Sequence, residues 1–480
     1  MTIPQALSEV ARRHPDQPAL IGPRVALTHA ELERCVGRAA ADLEARGVRP
    51  GDVVGVSMET SPLQLVTILA LARAGACSVH VSPAHPRAIK EALVAQFSVA
   101  AVVCEPGAPG TLHADPAWLD PARGASQPDR SDSGAPWRLV LSSGTTGLQK
   151  AIRVTHEMAV AELTMGAVGD PKASDDRFLC QSGLDSSWGL ITVLLHLTVG
   201  GAVVFPQSRR LEHYLEAVRR HSITQLIMSP ALLREVMEAL PAGGGGLPTV
   251  RHIRVGGSAP PPQLIAAALE RVSPHLATAY GATELGLVTM ADADTMRRAP
   301  LSAGRLQPVF DAEAVDESGT RLPPGVTGAL RFRRKGMALE YFRNAEATAR
   351  FFRDGWFYPG DQGRIDAEGL LFIEGRVDDK LNIDGKKVEP TPIEQALEDH
   401  PAVAEAAAFV AAPGGGMTRL YAAVVLRAPT DEKTLLGHCR NRVGAGFTPA
   451  RIFVVKKLPR NETGKLLRAE LARRVRRPGQ

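Results

Sequence analysis

The sequence predicts an α/β protein with a large N-terminal α/β domain, a small β-rich subdomain and a small α+β C-terminal domain. Its 480 residues are too many for one ordinary core. Strand-like and helix-like apolar runs alternate over residues 50–104 and again over 223–257. Residues 105–136 are dense in Gly, Pro, Ala, Asp and Ser, which predicts a long surface connection. Short strands with tight turns prevail after residue 300. Beyond residue 376 the order helix, strand, strand, helix, strand predicts a separate unit. We therefore expect an N-terminal domain at 1–376, which includes the β-rich part at about 300–376, and a C-terminal domain at 377–480.

The composition is that of a soluble globular protein, with 44% hydrophobic and 22% charged residues. Five cysteines without a CxxC pair argue against a disulfide framework or a zinc cluster and favour a reducing cytoplasm. The first twenty residues predict an amphipathic helix and no signal peptide. The uncharged run WGLITVLLHLTVGGAVVF at 188–205 predicts a buried helix and strand instead of a membrane span, because Gly200 and Gly201 interrupt it.

The charge of the C-terminal tail is uneven, because residues 451–480 hold ten Arg or Lys and two Glu. Such a tail either meets phosphates or an acidic partner, or is a solvated, frayed terminus. Phe453 is its single aromatic residue, which disfavours a nucleic-acid stacking surface.

The segment LSSGTTGLQK at 141–150 has a composition suited to wrapping an anion. Gly144 and Gly147 reach positive φ at little cost, so successive N–H groups can turn inward as a concave nest. The hydroxyl donors and the positive charge come from Ser142, Ser143, Thr145, Thr146 and Lys150. An apolar strand precedes this loop, which predicts an anion site at a strand's end. Taken alone, the segment fits a solvated turn equally well.

Six further motifs follow in order along the chain: VTH at 154–156, GGSAPPP at 256–262, YGATELG at 280–286, DGWFYPGD at 354–361, GRVDDKLNIDGKKVEP at 375–390 and PRNETGK at 459–465. With these seven segments the chain resembles the adenylate-forming superfamily of acyl-CoA synthetases, peptide-synthetase adenylation domains and luciferases. The resemblance covers nearly the whole chain. It implies stacked α/β sheets in the large domain and a mobile C-terminal domain.

The resemblance implies an AMP-forming acid–thiol ligase that uses ATP and Mg²⁺. A carboxylic acid becomes an acyl-AMP with release of pyrophosphate, and a thiol of CoA or of a phosphopantetheinyl carrier protein then takes the acyl group. It assigns Thr283 to the α-phosphate and Glu284 to the metal, although Thr followed by Glu also fits a helix N-terminus. It also assigns Gly256, Gly257, Ser258 and Tyr280 to the adenine, Asp361 and Arg376 to the ribose, and Gly281 to the nucleotide. Asp361 and Arg376 would otherwise be a turn acid and a surface base.

Three residues of the C-terminal region receive roles from the same resemblance. Lys465 is expected to bridge the carboxylate and the α-phosphate during activation. Asp378 is expected to be the hinge about which the small domain rotates, and Gly385 to line the tunnel by which the thiol enters. Lys465 would otherwise be a solvated lysine, and Asp378 would otherwise belong to an exposed acidic turn.

The substrate pocket is expected around GLDSSWGL at 183–190, with Asp185, Ser186 and Trp188 as candidates. Asp185 indicates an amino acid or another cationic acid, but it also fits the cap of a helix beginning near Ser187. Gln149, Pro359 and the pair Leu141–Ser142 depart from the family pattern without removing a charged group.

Two rival classes are a phosphate-loop kinase, whose GxxxxGK[ST] spacing is absent here, and a binding protein without turnover. Within the family, a stand-alone amino-acid adenylation enzyme and an acyl-AMP ligase without CoA transfer stay open. We expect a monomer or homodimer that binds neither nucleic acid nor membrane.

Overall fold

The computed structural model describes residues 1–122, 129–142, 150–169, 172–241, 246–376, 381–383, 386–388, 390–411, 419–460 and 466–475. The chain divides into two compact units. The first unit comprises Met1–Asp311 and Phe332–Phe357, and the second comprises Ala312–Arg331 and Tyr358–Gln480. Both units contain helices and strands, so the predicted α/β class with a large N-terminal and a small C-terminal part is confirmed.

The first unit contains two sheets. One has six strands in the order β6-β5-β3-β4-β7-β8, parallel except for β8. Its strands are β3 (Val53–Ser57), β4 (Cys77–His80), β5 (Ala101–Cys104), β6 (Leu112–His113), β7 (Pro136–Ser142) and β8 (Lys150–Thr155). We expected residues 105–136 to be a surface connection, but they contain β6 and a 3₁₀ turn at Pro116–Leu119. That prediction was wrong there because Trp118 is buried and anchors the turn.

Within the first unit the second sheet has the order β15-β14-β13-β12-β11-β9-β10-β1-β2. The central strands, from β13 to β1 in this order, pair in parallel. At the ends of the order, β2 is antiparallel to β1, β14 to β13, and β15 to β14. The strands are β1 (Pro18–Gly22), β2 (Val25–Thr28), β9 (Arg177–Leu179), β10 (Ala202–Val204), β11 (Gln225–Met228), β12 (His252–Val255), β13 (Leu276–Ala282), β14 (Gly286–Ala291) and β15 (Gly304–Leu306). Two short strands, β18 (Phe352–Arg353) and β19 (Trp356–Phe357), form a small hairpin.

The helices of the first unit are α1 (Ile3–Arg13), α2 (His29–Ala45), α3 (Pro62–Arg73), α4 (Arg87–Phe97), α5 (His156–Gly169), α6 (Ser187–Thr198), α7 (Leu211–Arg220), α8 (Pro230–Ala239), α9 (Pro262–Arg271), α10 (Ala293–Arg298) and α11 (Ala345–Phe351). The predicted amphipathic helix is α1, whose capping box joins Thr2 and Gln5. The apolar helix α3 is buried on every side and supplies much of the core.

The uncharged run at 188–205 forms the buried helix α6 and the strand β10, as predicted. Gly200 separates them at φ +88°, a conformation that glycine adopts at little cost. None of the helices in the described part of the chain has the length and apolar content needed to cross a bilayer.

The second unit holds the strands β16 (Asp311–Val315), β17 (Gly328–Arg333), β20 (Asp361–Ile365) and β21 (Leu370–Arg376). The first residue of β16 and the last two residues of β17 belong to the first unit. The short pair β22 (Leu381–Ile383) and β23 (Lys386–Val388) follows. The remaining elements are α12 (Pro390–Glu398), β24 (Val403–Ala411), β25 (Arg419–Leu426), α13 (Glu432–Val443), a 3₁₀ turn (Ala445–Phe447), β26 (Ile452–Val454) and α14 (Arg468–Val475). The predicted order helix, strand, strand, helix, strand is confirmed, while the boundary at 376/377 stays a prediction.

Candidate functional site

The phosphate-loop candidate is bounded by two neighbouring strands. Ser142 ends β7 and Lys150 begins β8, and these two residues are direct partners in the antiparallel register. The chain therefore leaves the sheet at the carboxyl end of β7 and returns beside it, where a nest was predicted. Ser143, Gly144, Thr145, Thr146 and Gly147 lie outside the described residues. Their contacts with an anion stay predictions.

Lys150 lies against two aromatic rings of the same unit. Its Nζ is 3.7 Å from the ring centroid of Phe351 and 5.1 Å from that of Tyr341. An ammonium over aromatic faces is stabilised by the negative charge of the π-systems. The Tyr341 hydroxyl in turn donates a hydrogen bond of 2.5 Å to Oε1 of Glu284. The predicted phosphate lysine and the predicted metal carboxylate are thus joined through one tyrosine.

Thr283 and Glu284 lie in the turn between β13 and β14, and the helix N-terminus considered as an alternative is absent there. Glu284 is 9% exposed, which strengthens any charge interaction that it makes. The Leu285 N–H donates to the Ala282 carbonyl at 3.1 Å and closes the turn. Gly286 follows at φ +78°, a conformation that favours glycine.

The adenine candidates lie at the ends of the adjacent parallel strands β12 and β13. Tyr280 is half-buried, and its ring centroid is 6.1 Å from that of Phe332. Gly281 permits a close backbone approach, because an added Cβ would stand 2.3 Å from the Gly286 carbonyl oxygen. Gly256, Gly257 and Ser258 directly follow β12, so the two motifs lie side by side.

The ribose candidates pair with each other in the second unit. Asp361 and Arg376 face each other across the antiparallel strands β20 and β21. Nη1 of Arg376 donates to Oδ1 of Asp361 at 2.9 Å, and Nη2 donates to the Pro359 carbonyl at 2.9 Å. Asp361 is 5% exposed. The interpretation of Asp361 as an ordinary turn acid is therefore wrong, because a buried carboxylate needs such a partner.

The substrate-pocket candidates lie before and within helix α6. Ser186, and not Asp185, caps this helix: its hydroxyl accepts the Gly189 N–H at 2.9 Å. The cap proposed for Asp185 was thus misplaced by one residue. The Trp188 ring lies against Gly256, where an added Cβ would be 3.2 Å from the indole. Trp188 therefore borders the end of β12.

The Asp185 carboxylate lies among basic groups. It folds back onto Gly183, at whose Cα an added Cβ would stand 1.8 Å from Asp185 Oδ1 and 3.5 Å from Nη2 of Arg209. Arg138 is 4% exposed and donates to the carbonyls of Leu184 and Asp185 at 2.6 and 2.7 Å. Burial lowers the pKa of Arg138 to about 10, and the Asp185 charge opposes this shift. Arg138 therefore stays charged at neutral pH.

Lys465, Asp378 and Gly385 lie outside the described residues, so their roles stay predictions. Sequence reasoning missed Tyr341, which contacts Glu284 from 57 positions away. It also missed Arg334 and Glu162, which line a cavity together with Thr283 and Glu284. The signal for Glu162 was available, since it is a lone carboxylate within the apolar stretch MAVAELTMGAVG of α5.

Comparison with known proteins gives matches over most of the chain. The model of the AMP-binding enzyme family matches residues 7–342, and that of the AMP-binding enzyme C-terminal domain matches residues 392–465. The chain is 29% identical to 3-hydroxybenzoate–CoA ligase of Aromatoleum sp. (strain CIB), over 95% of this chain and 93% of that protein. It is 28% identical to the fatty acid–[acyl-carrier-protein] ligase ScoC of Streptomyces coeruleorubidus, over 98% and 96%.

Among solved structures, O-succinylbenzoate coenzyme A synthetase from Bacillus subtilis in complex with ATP and magnesium ion superimposes with a TM-score of 0.85. The identity is 24%, and the match covers 97% of this chain and 98% of that chain. This likeness concerns the fold.

Proposed function

The chain belongs to the AMP-binding enzyme family, and we propose that it converts a carboxylic acid to an acyl-adenylate with ATP and then to a thioester. The carboxylate oxygen attacks the α-phosphorus, the bond to the β-phosphate oxygen breaks, and pyrophosphate leaves. A pantetheine thiol, as its thiolate, then attacks the acyl carbon and AMP leaves. The observation that carries the proposal is the Lys150–Tyr341–Glu284 arrangement at the end of strand β7.

Positive charge is the main requirement of the first step, because two anions must meet. Two unit charges 4 Å apart repel by about 4 kcal/mol at an effective dielectric constant of 20. Lys150 supplies one cation beside the loop that is proposed to hold the phosphates. Lys465 is proposed to supply a second, with the region 377–480 moving about Asp378 between the two steps so that the thiol enters past Gly385. Thr283 is proposed to donate its hydroxyl to the α-phosphate.

Mg²⁺ fits the residues around Glu284. The Glu284 carboxylate is a hard oxygen ligand of the kind that this ion prefers. Among the described residues no three His, Cys, Asp or Glu side chains cluster as a metal site, which suits an ion that keeps waters and binds substrate phosphates. When bound, Mg²⁺ would neutralise charge on the phosphate oxygens. Tyr341 holds the direction of the carboxylate that would bind it.

The adenine base is proposed to contact Tyr280 and Gly281 together with Gly256, Gly257 and Ser258. The aromatic face of Tyr280 suits a planar ring, and the strand end suits backbone contacts to its edge. Asp361 is proposed to accept both ribose hydroxyls, since an ionised carboxylate has two acceptor oxygens. Arg376 fixes the position of that carboxylate.

The acid is proposed to be neutral or anionic in its body, and not an amino acid. A cationic amine needs a carboxylate whose charge is free to pair with it. Asp185 instead lies with two arginines, Arg138 and Arg209, and burial lowers the pKa of the nearby His80 to about 4 so that it stays neutral at pH 7. The two arginines and one carboxylate leave a net positive charge. An amino-acid substrate would instead require a net negative charge at this place, to pair with its ammonium group.

Both acceptors named for the relatives, CoA and acyl-carrier protein, stay within the proposal. Separate thiolysis assays with CoA and with a phosphopantetheinyl carrier protein identify the acceptor. A monomer or homodimer is the proposed assembly, which light scattering after size exclusion tests.

Product analysis tests the reaction, because AMP with pyrophosphate supports the ligase and ADP overturns it. Lys465→Ala separates the steps: we expect it to lower acyl-AMP formation by about 10²–10³ and to spare thiol transfer from supplied acyl-AMP. Equal loss of both steps would reject the role of Lys465.

A further inference from the structure

Two half-buried side chains of opposite charge in the first unit, Glu162 and Arg334, have no part in the reaction as described so far. Glu162, on helix α5, lines a partly open cavity of the first unit. The walls are largely aliphatic and include Val140, Ile152, Leu190, Ile191 and Leu194. Arg334 lines the same cavity, and so do Thr283 and Glu284. The charged side chains that line this cavity are therefore Arg138, Glu162, Arg334 and the proposed metal carboxylate Glu284.

Glu162 and Arg334 carry opposite charges in the same cavity and attract each other without a direct ion-pair contact. Burial raises the pKa of Glu162, and the positive charge of Arg334 opposes that shift. Burial lowers the pKa of Arg334, and the negative charge of Glu162 opposes it in turn. A buried charge without a partner is costly, so removing one member leaves the other in an unfavourable state. Each residue thus lowers the free-energy cost of partly burying the charge of the other.

Both members contact the turn that carries Glu284. Arg334 donates from Nε to the Leu285 carbonyl at 2.9 Å. Glu162 packs on Gly286, where an added Cβ would stand 2.6 Å from Oε1 of Glu162. Together with Tyr341 on Glu284 itself, three side chains from distant parts of the sequence hold three successive residues of the turn.

We propose that Glu162 and Arg334 are positioning residues that fix the turn at 283–286 and thereby aim the Glu284 carboxylate at the metal. The inference rests on the proposed function. An unpaired Arg334 would attract the Glu284 carboxylate and compete with the metal, whereas an unpaired Glu162 would repel it. Either single change therefore weakens metal binding, and removing both charges costs less than the two single changes together.

The test measures Mn²⁺ binding by electron paramagnetic resonance, with an α,β-methylene analogue of ATP bound to the protein. Glu162→Gln and Arg334→Met are each expected to weaken Mn²⁺ binding by about 10-fold. The double variant is expected to weaken Mn²⁺ binding by clearly less than the roughly 100-fold product of the two single effects, because it leaves neither charge uncompensated although it still lacks the Arg334 Nε donor. The KM for the acid in pyrophosphate exchange is expected to stay unchanged in all three variants.

Asp175→Asn is the matched control, because it breaks the exposed pair between Asp175 and Arg251, at 2.7 Å, and should leave Mn²⁺ binding unchanged. If Glu162→Gln fails to fold, Arg334→Lys keeps the charge but removes the Nε donor, and it too should weaken Mn²⁺ binding. Unchanged Mn²⁺ binding in the folded single variants, or a double variant that weakens Mn²⁺ binding by the full product of the two single effects, overturns the inference. Failure of the proposed function appears differently, as absence of pyrophosphate exchange with every acid while Mn²⁺ still binds.

Discussion

Replacing Tyr341 by Phe tests how far the Glu284 carboxylate depends on its tyrosine. The change removes only the hydroxyl that donates to Glu284 Oε1 at 2.5 Å. The ring is expected to keep its edge contacts with Phe351 and Phe352 and its place under Lys150. A hydrogen bond to a charged group contributes about 1.5–3 kcal/mol. At 1.36 kcal/mol per factor of ten, the expected loss is roughly 10- to 150-fold.

The assay is ATP–pyrophosphate exchange, with kcat/KM for the magnesium complex of ATP as the measured quantity. Tyr214→Phe is the matched control, because Tyr214 is fully buried and its hydroxyl has no hydrogen-bond partner among the described residues. Its loss should leave exchange unchanged and should not lower stability. Exchange by Tyr341→Phe within 2-fold of the unsubstituted protein would refute the reasoning, since it would mean that the carboxylate needs no such support.

Three further outcomes follow from particular contacts. Asp361→Asn should raise the KM for ATP by about 10- to 100-fold through loss of a charged acceptor, and an unchanged KM in pyrophosphate exchange would exclude Asp361 from the ribose site. Gly281→Ala should lower the free energy of unfolding by about 1–3 kcal/mol because its Cβ would meet a carbonyl oxygen. Gly437→Ala, in an open helix position, should raise the free energy of unfolding slightly. Equal denaturant midpoints for the two variants would contradict both expectations. Burial lowers the pKa of His156 to about 4, so between about pH 6.5 and 4 the unfolded chain binds a proton that the folded chain does not. The free energy of unfolding should therefore fall as pH falls through this window. His156→Gln should make the free energy of unfolding, measured with urea, less dependent on pH. An identical pH dependence in this variant would rule out His156 as its source.

Local sequence patterns predicted the elements of the fold wherever the structure depends on local periodicity. The run at 188–205 is a helix and a strand because Gly200 ends the helix, and the C-terminal order of elements follows the apolar runs. Strand, loop and basic residue predicted the β7–β8 boundary of the phosphate-loop candidate.

Local patterns failed where a tertiary contact decides the outcome. Thr283 and Glu284 have the composition of a helix start, yet Glu284 lies in a turn between strands and bonds to Tyr341. Asp185 and Ser186 are both good caps, and only the structure shows that the serine takes the position. Glu162 and Arg334 are 172 positions apart, and no local spacing reports that they share a cavity.

ATP–pyrophosphate exchange across aliphatic, aromatic and amino acids tests acid adenylation most directly. We expect exchange that depends on one class of neutral or anionic acid, with AMP as the nucleotide product. Formation of ADP, or exchange driven by amino acids and abolished in Asp185→Ala, would contradict the proposed reaction or the proposed substrate class, respectively.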